Sequence, residues 1–169
     1  MPRSRGKSGD LHGNAPDEAP VALLIIDMIN AFDFEGAKGM LPRAQRRRAR
    51  REILEHCRRS PAREIARLLK PGRQDYFVLK PKHSGFQFTT LDVLLEHLGA
   101  ETLILTGVAA NFCVLFTAHD AYMRDYRLLV PKDCVASLTE GDNRYALAHI
   151  ARVTKADVGA SRDIELRRP

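Results

Sequence analysis

Apolar residues along this chain fall into short unbroken runs, separated by longer stretches with helical spacing. Val21–Ile26 is continuously apolar, the pattern of a central parallel strand buried on both faces. Tyr76–Leu79, Thr102–Leu105 ending in Thr106-Gly107, and Arg127–Val130 repeat that pattern, and Val153–Ala156 makes a weaker last strand. Between them, Ile65, Leu68 and Leu69 line one helical face after Ser60-Pro61 and before the stop at Pro71-Gly72. Thr90 caps a helix carrying Leu91, Leu94, Leu95 and Leu98, with Gly99 just past its end. Asn111 caps another that runs through Phe116, Ala118, Ala121 and Tyr122, and Thr139–Ile150 carries Tyr145, Leu147, Ala148 and Ile150. This alternation predicts an α/β three-layer α/β/α sandwich around a mostly parallel sheet.

Three segments stand outside the pattern. Residues 1–20 are rich in Gly, Pro, Ser and charge and bury nothing, so a disordered tail is expected there. Residues 159–169 are polar and form a second, C-terminal tail, leaving one domain over 21–158. Arg43 to Arg59 carries six arginines before Ile53-Leu54. As a helix it pairs Arg48 with Glu52 and Arg51 with Glu55, and a solvated helix is preferred over a nucleic-acid contact because no aromatics interleave for base stacking.

Composition changes this picture little. With 169 residues, 44 % hydrophobic and 28 % charged, the chain can build a sizeable core. The net charge of +6 bears on association rather than on fold. No apolar stretch approaches the ~20 residues of a membrane span, and no secretory signal is evident, so the expected compartment is the cytoplasm. Three cysteines, Cys57, Cys113 and Cys134, without zinc spacing fit reduced surroundings.

Candidate chemistry collects at strand ends. Asp27 closes Val21–Ile26, Lys80 closes Tyr76–Leu79, and Cys113 follows Thr102–Leu105 in the first turn of a helix. Ligands in open α/β sheets gather at that edge, and a helix N-terminus favours a thiolate. An acid–base group, a cation and a thiol therefore share one edge. Packing as a small hydrophobe is the ordinary alternative for a lone cysteine. A turn cap is the ordinary alternative for Asp27. Lys82 rivals Lys80; His83 is a loop or substrate-pocket residue, and Phe32 and Phe86 either wall that pocket or pack in the core.

The stretches LLIIDMINAFDFEG, VLKPKHSGFQFTTLDVLL and LTGVAANFCVLFTAHDAYMRDY, in this order, resemble the isochorismatase-like cysteine hydrolases, a Rossmann-like family that includes nicotinamidases, N-carbamoylsarcosine amidases and ureidoacrylate amidohydrolases. The likeness runs from about Val21 to Pro42 and resumes from about Ile53 to Ala156. It implies a catalytic triad of Asp27, Lys80 and Cys113. Asp27 would move the thiol proton, Lys80 would hold the carboxylate charged, and Cys113 would attack an amide carbonyl to give a thioester. It also implies a cis peptide at Val108-Ala109, with the N–H groups of Ala109 and Cys113 forming an oxyanion hole. No cofactor is implied, and assembly into a homo-oligomer is common in such proteins.

Between Pro42 and Ile53 the family pattern is interrupted. A long helix and a strand usual there are replaced by the arginine-rich segment, so the sheet is expected to lack one of six strands. In nicotinamidases that region supplies metal ligands, so no metal site is expected here. The missing strand normally lies between those ending in Asp27 and Lys80. Its loss leaves two outcomes: direct pairing of the flanking strands, or a gap with exposed edges. The functional expectation is a cysteine hydrolase of small amide-type substrates. A shortened, catalytically impaired member that only binds a ligand or partner is the alternative.

Overall fold

Strand β2 (Thr102–Val108) is the centre of the sheet in the computed structural model, which describes residues 18–28, 55, 63–72 and 75–166. Strand β1 (Val21–Ile26) pairs in parallel along one edge of β2, from Val21 opposite Thr102 to Ile26 opposite Gly107. Along the other edge, β3 (Arg127–Leu129) pairs with its first half and β4 (Val135–Ala136) with Gly107 and Val108. A parallel bridge from Leu129 to Asp157 extends that side. The α-helices described over their length are α1 (Arg63–Leu68), α2 (Leu91–Leu98), α3 (Leu115–Tyr122) and α4 (Glu140–Thr154), with a π-helical turn at Ala110–Val114 leading into α3 and a 3-10 turn at Ser161–Asp163.

The core explains why these elements sit together. Leu103 and Leu105 of β2 are fully buried against Leu91 and Leu95 of α2, Val114, Ala118 and Ala121 of the turn and α3, and Ile150 of α4. Complete burial of such an aliphatic side chain contributes roughly 1.5–3 kcal/mol. Helix α2 follows its sequence pattern closely, burying all four of its leucines. It ends at Gly99 with φ +63, whose N–H and that of Ala100 return to Glu96 and Leu95.

Several sequence expectations are corrected. Tyr76–Leu79 has no regular secondary structure and is not among the strands of the described sheet, so Lys80 is delivered by a loop. Among the described residues β1 pairs only with β2 and is an edge, not a centre; Leu23 and Ile25 are exposed on one face. Among the described residues no strand stands on the other side of β1. Asn111 is not an N-cap: the helical turn begins at Ala110, and Val114, Thr117, Ala118 and Ala121 form the buried stripe, with Phe116 and Tyr122 outside. Helix α4 absorbs Val153 and Thr154, because Ala146, Ile150 and Thr154 continue one buried i,i+4 row to a left-handed cap at Lys155. Thr90 makes no side-chain cap; Thr89 accepts from the Leu91 N–H instead. Gly159 and Ser161, placed in the C-terminal tail, are tied to Lys132 and Asp133. Phe32, Cys57 and all of the arginine-rich segment except Glu55 lie outside the described residues.

Candidate active site

Asp27 is the first residue beyond β1 and has φ +53. Aspartate is among the few residues that tolerate this left-handed conformation. Beside it, Gly107 has φ +108, and a side chain there would overlap the backbone of Ile26. Only glycine lets β2 approach β1 that closely at the point where Asp27 leaves the sheet. The thiol arrives from β2 itself: the Val108-Ala109 peptide is cis, and the π-helical turn that follows carries Cys113.

Lys80 joins these two groups. Its Nζ lies 2.8 Å from Asp27 Oδ2 and donates to Cys113 Sγ at 3.4 Å and to the carbonyl oxygen of Lys82 at 2.8 Å. The Lys80 and Asp27 side chains are only 14 % and 20 % exposed, so water screens their ion pair weakly. In a more exposed contact, His83 Nδ1 stands 3.7 Å from Cys113 Sγ. The His83 ring stacks on Phe116 and tilts against Phe112, two half-exposed rings one turn apart. Sequence reasoning missed both phenylalanines, although Phe116 stands three residues after Cys113 and four after Phe112, spacings that make neighbours on a helix. Phe86 resolves to the core alternative: it is 6 % exposed, stacked with Tyr126 and covered by the Arg124 guanidinium. Lys82 is exposed and contributes its carbonyl oxygen to Lys80.

The electrostatics reverse one expectation. The Cys113 thiol is pushed above its ordinary pKa, first by burial and then by hydrogen bonding and charge from Asp27; Lys80 pulls in the opposite direction but does not prevail. The raised pKa favours a thiol with the Asp27 carboxylate beside it over the free thiolate that a helix N-terminus alone would favour. Such a pair can pass a proton at the moment of attack. Among the described residues no group of three or more His, Cys, Asp or Glu is placed to hold a metal ion. No described helix is long and apolar enough to cross a membrane.

Comparison with known proteins adds the lineage. The family model described as the isochorismatase domain matches residues 34–161, a span that holds Lys80 and Cys113 and begins after Asp27. An uncharacterised isochorismatase family protein of Bacillus subtilis, YaaI, is 35 % identical over 176 aligned positions covering 87 % of this chain and 97 % of that one. Those positions outnumber the 169 residues here, so the alignment passes over positions this chain lacks. Among solved structures, the nicotinamidase of Staphylococcus aureus is 31 % identical with a TM-score of 0.53 over 57 % of this chain and 61 % of its own. The N-carbamoylsarcosine amidase of Thermoplasma acidophilum is 38 % identical with a TM-score of 0.50 over 57 % and 54 %. The chain thus spans less than two thirds of either solved relative. A parallel α/β sheet, the motifs around Lys80 and Cys113, and a family match over most of the length lead to one conclusion: this chain belongs to the isochorismatase family.

Proposed function

We propose that the protein is a cysteine hydrolase that cleaves a C–N bond of amide type in a small molecule, using Asp27, Lys80 and Cys113. The observation that carries this reading is the position of Lys80 Nζ, 2.8 Å from Asp27 Oδ2 and 3.4 Å from Cys113 Sγ, at the carboxyl ends of β1 and β2. Asp27 accepts the thiol proton as Sγ attacks the carbonyl carbon. The N–H groups of Ala109 and Cys113 receive the developing oxyanion. Asp27 then returns the proton to the departing nitrogen, ammonia or an amine leaves, and a thioester remains on Cys113. Water, deprotonated by Asp27, attacks the thioester and restores the thiol with release of the acid. Lys80 fixes the Asp27 carboxylate and offsets the charge that appears on sulfur. His83, Phe112 and Phe116 border the thiol on the side from which substrate enters. A reducing compartment such as the cytoplasm suits the free thiol this chemistry needs.

A second reading has its own support. Because Tyr76–Leu79 stands outside the described sheet, the family scaffold can survive as a binding protein with its chemistry impaired. A panel of small amides, beginning with nicotinamide and N-carbamoylsarcosine, separates the two. The hydrolase reading expects turnover of at least one compound that Cys113→Ser abolishes. Turnover unchanged in Cys113→Ser would refute it, and saturable binding without turnover would support the second reading.

A further inference from the structure

We propose that Thr117 is a positioning residue for the Cys113 site, its buried hydroxyl holding the loop that carries Lys80 and His83 in register with the turn that carries Cys113. The side chain is fully buried, and its Oγ1 works in both directions. It donates to the Cys113 carbonyl oxygen at 2.6 Å and accepts from the Gly85 N–H at 2.9 Å. The bond back to Cys113 alone would be an ordinary threonine habit within a helix. What sets this residue apart is the acceptor half, which reaches a loop 32 residues away in sequence. Gly85 lies two residues beyond His83 and five beyond Lys80.

That loop needs such an anchor. Tyr76–Leu79 forms no strand of the described sheet, so among the described residues no β-ladder runs through the segment that delivers Lys80. Gly85 instead has its N–H held by Thr117 and its carbonyl oxygen by Thr89, while Phe86 is buried in the core. The contacts of Lys80 with Asp27 and Cys113 depend on a long side chain issuing from this loop. Misplacement of a reacting group by about 1 Å costs up to about 100-fold in rate, so loss of the anchor should reach the chemistry without touching substrate. The activity arm of this inference rests on the hydrolase reading above; the thiol arm does not.

The test compares wild type, Thr117→Val, Thr117→Ser and Thr154→Val. Thr154 is also buried, with its hydroxyl bonded within α4 to Ile150, and serves as the control for lost stability. Each protein is alkylated with iodoacetamide across pH, with Cys134 as internal reference, and kcat and KM are measured on an amide from the panel. In Thr117→Val, the alkylation midpoint of Cys113 should rise as Lys80, the influence that lowers it, drifts from the sulfur, and kcat should fall about 10- to 100-fold with KM nearly unchanged. Thr117→Ser should restore both, and Thr154→Val should change neither. A wild-type profile in Thr117→Val, or the same changes in Thr154→Val, overturns the proposal. If Thr117→Val does not fold, Gly85→Ala presses on the same contact from the other side. Its added methyl would meet Leu91 Cδ2 at 3.1 Å and Thr117 Cγ2 at 3.4 Å, and an unshifted Cys113 profile there overturns the proposal equally. Should the wild type hydrolyse no amide, the hydrolase reading fails while the alkylation profiles still decide the role of Thr117.

Discussion

Replacing Asp27 by Asn should slow hydrolysis and at the same time make Cys113 more reactive toward a simple alkylating agent. Three influences push the thiol up: burial, the hydrogen bond with Asp27 and the charge of Asp27. The substitution deletes the charge and weakens the hydrogen bond, leaving burial opposed by Lys80, whose Nζ remains within 3.4 Å of the sulfur in the starting geometry. The Cys113 pKa must therefore fall. At a pH below that pKa, every tenfold gain in thiolate is partly offset by an intrinsic nucleophilicity about threefold lower, so alkylation quickens by about threefold for each tenfold gain. Turnover moves the other way, because the variant has no base to take the thiol proton and no acid to return it to nitrogen. General acid–base catalysis contributes roughly 10²- to 10⁴-fold, which corresponds to ~2.7–5.5 kcal/mol of barrier. The assays are iodoacetamide alkylation of Cys113 read by peptide mass spectrometry at pH 7, and kcat/KM on a responsive amide. Slower alkylation in Asp27→Asn, or turnover within threefold of wild type, would refute the assignment of Asp27 as proton carrier.

Other outcomes follow from the same geometry. Lys80→Met removes the one influence that lowers the thiol pKa, so alkylation of Cys113 at pH 7 should slow, opposite to Asp27→Asn, while kcat also falls; faster alkylation would contradict the geometry. Gly107→Ala adds a methyl that overlaps Ile26 at a backbone angle few side chains adopt, and a cost of about 3 kcal/mol or more is expected. With a urea slope of about 2 kcal/mol per molar, the unfolding midpoint should drop by about 1.5 M, and a midpoint unchanged within error would show that the two strands yield. Because the Cys113 pKa is raised in the folded state, its contribution to stability is fully present below the ordinary thiol pKa of ~8.5 and is lost as pH rises through the folded value. Wild type should therefore lose stability more steeply than Cys113→Ser above about pH 8.5, and parallel curves in urea titrations would argue against the raised pKa.

How far these features could be read from the sequence varied with the range of the interaction behind them. Helix α2 was legible because four leucines and a terminal glycine encode it locally. The Cys113 turn, Asp27 and Lys80 stood out as motifs, although motifs could not say how far apart the groups stand. Tyr76–Leu79 misled because an apolar run records a tendency to pair, and the outcome depends on whether a neighbouring strand is present. Val21–Ile26 misled for the same reason, reading as a doubly covered strand where Leu23 and Ile25 are exposed. The protonation of Cys113 was misjudged because a helix end is visible in sequence, whereas burial and the approach of Asp27 come only with the tertiary fold. Thr117 was invisible for a similar reason: its partner Gly85 is 32 residues distant, and nothing in a lone threonine announces two bonds.

The claim at the centre of this account is that Cys113 becomes acylated by an amide. The most direct measurement is intact and peptide mass spectrometry of the protein quenched in acid during turnover of a responsive amide, with hydroxylamine added in a parallel sample. An adduct of the acyl mass on the Cys113 peptide, cleared by hydroxylamine as the hydroxamate and absent in Cys113→Ser, is the expected result. Turnover that continues in Cys113→Ser, with no adduct on Cys113 in the wild type, would contradict it.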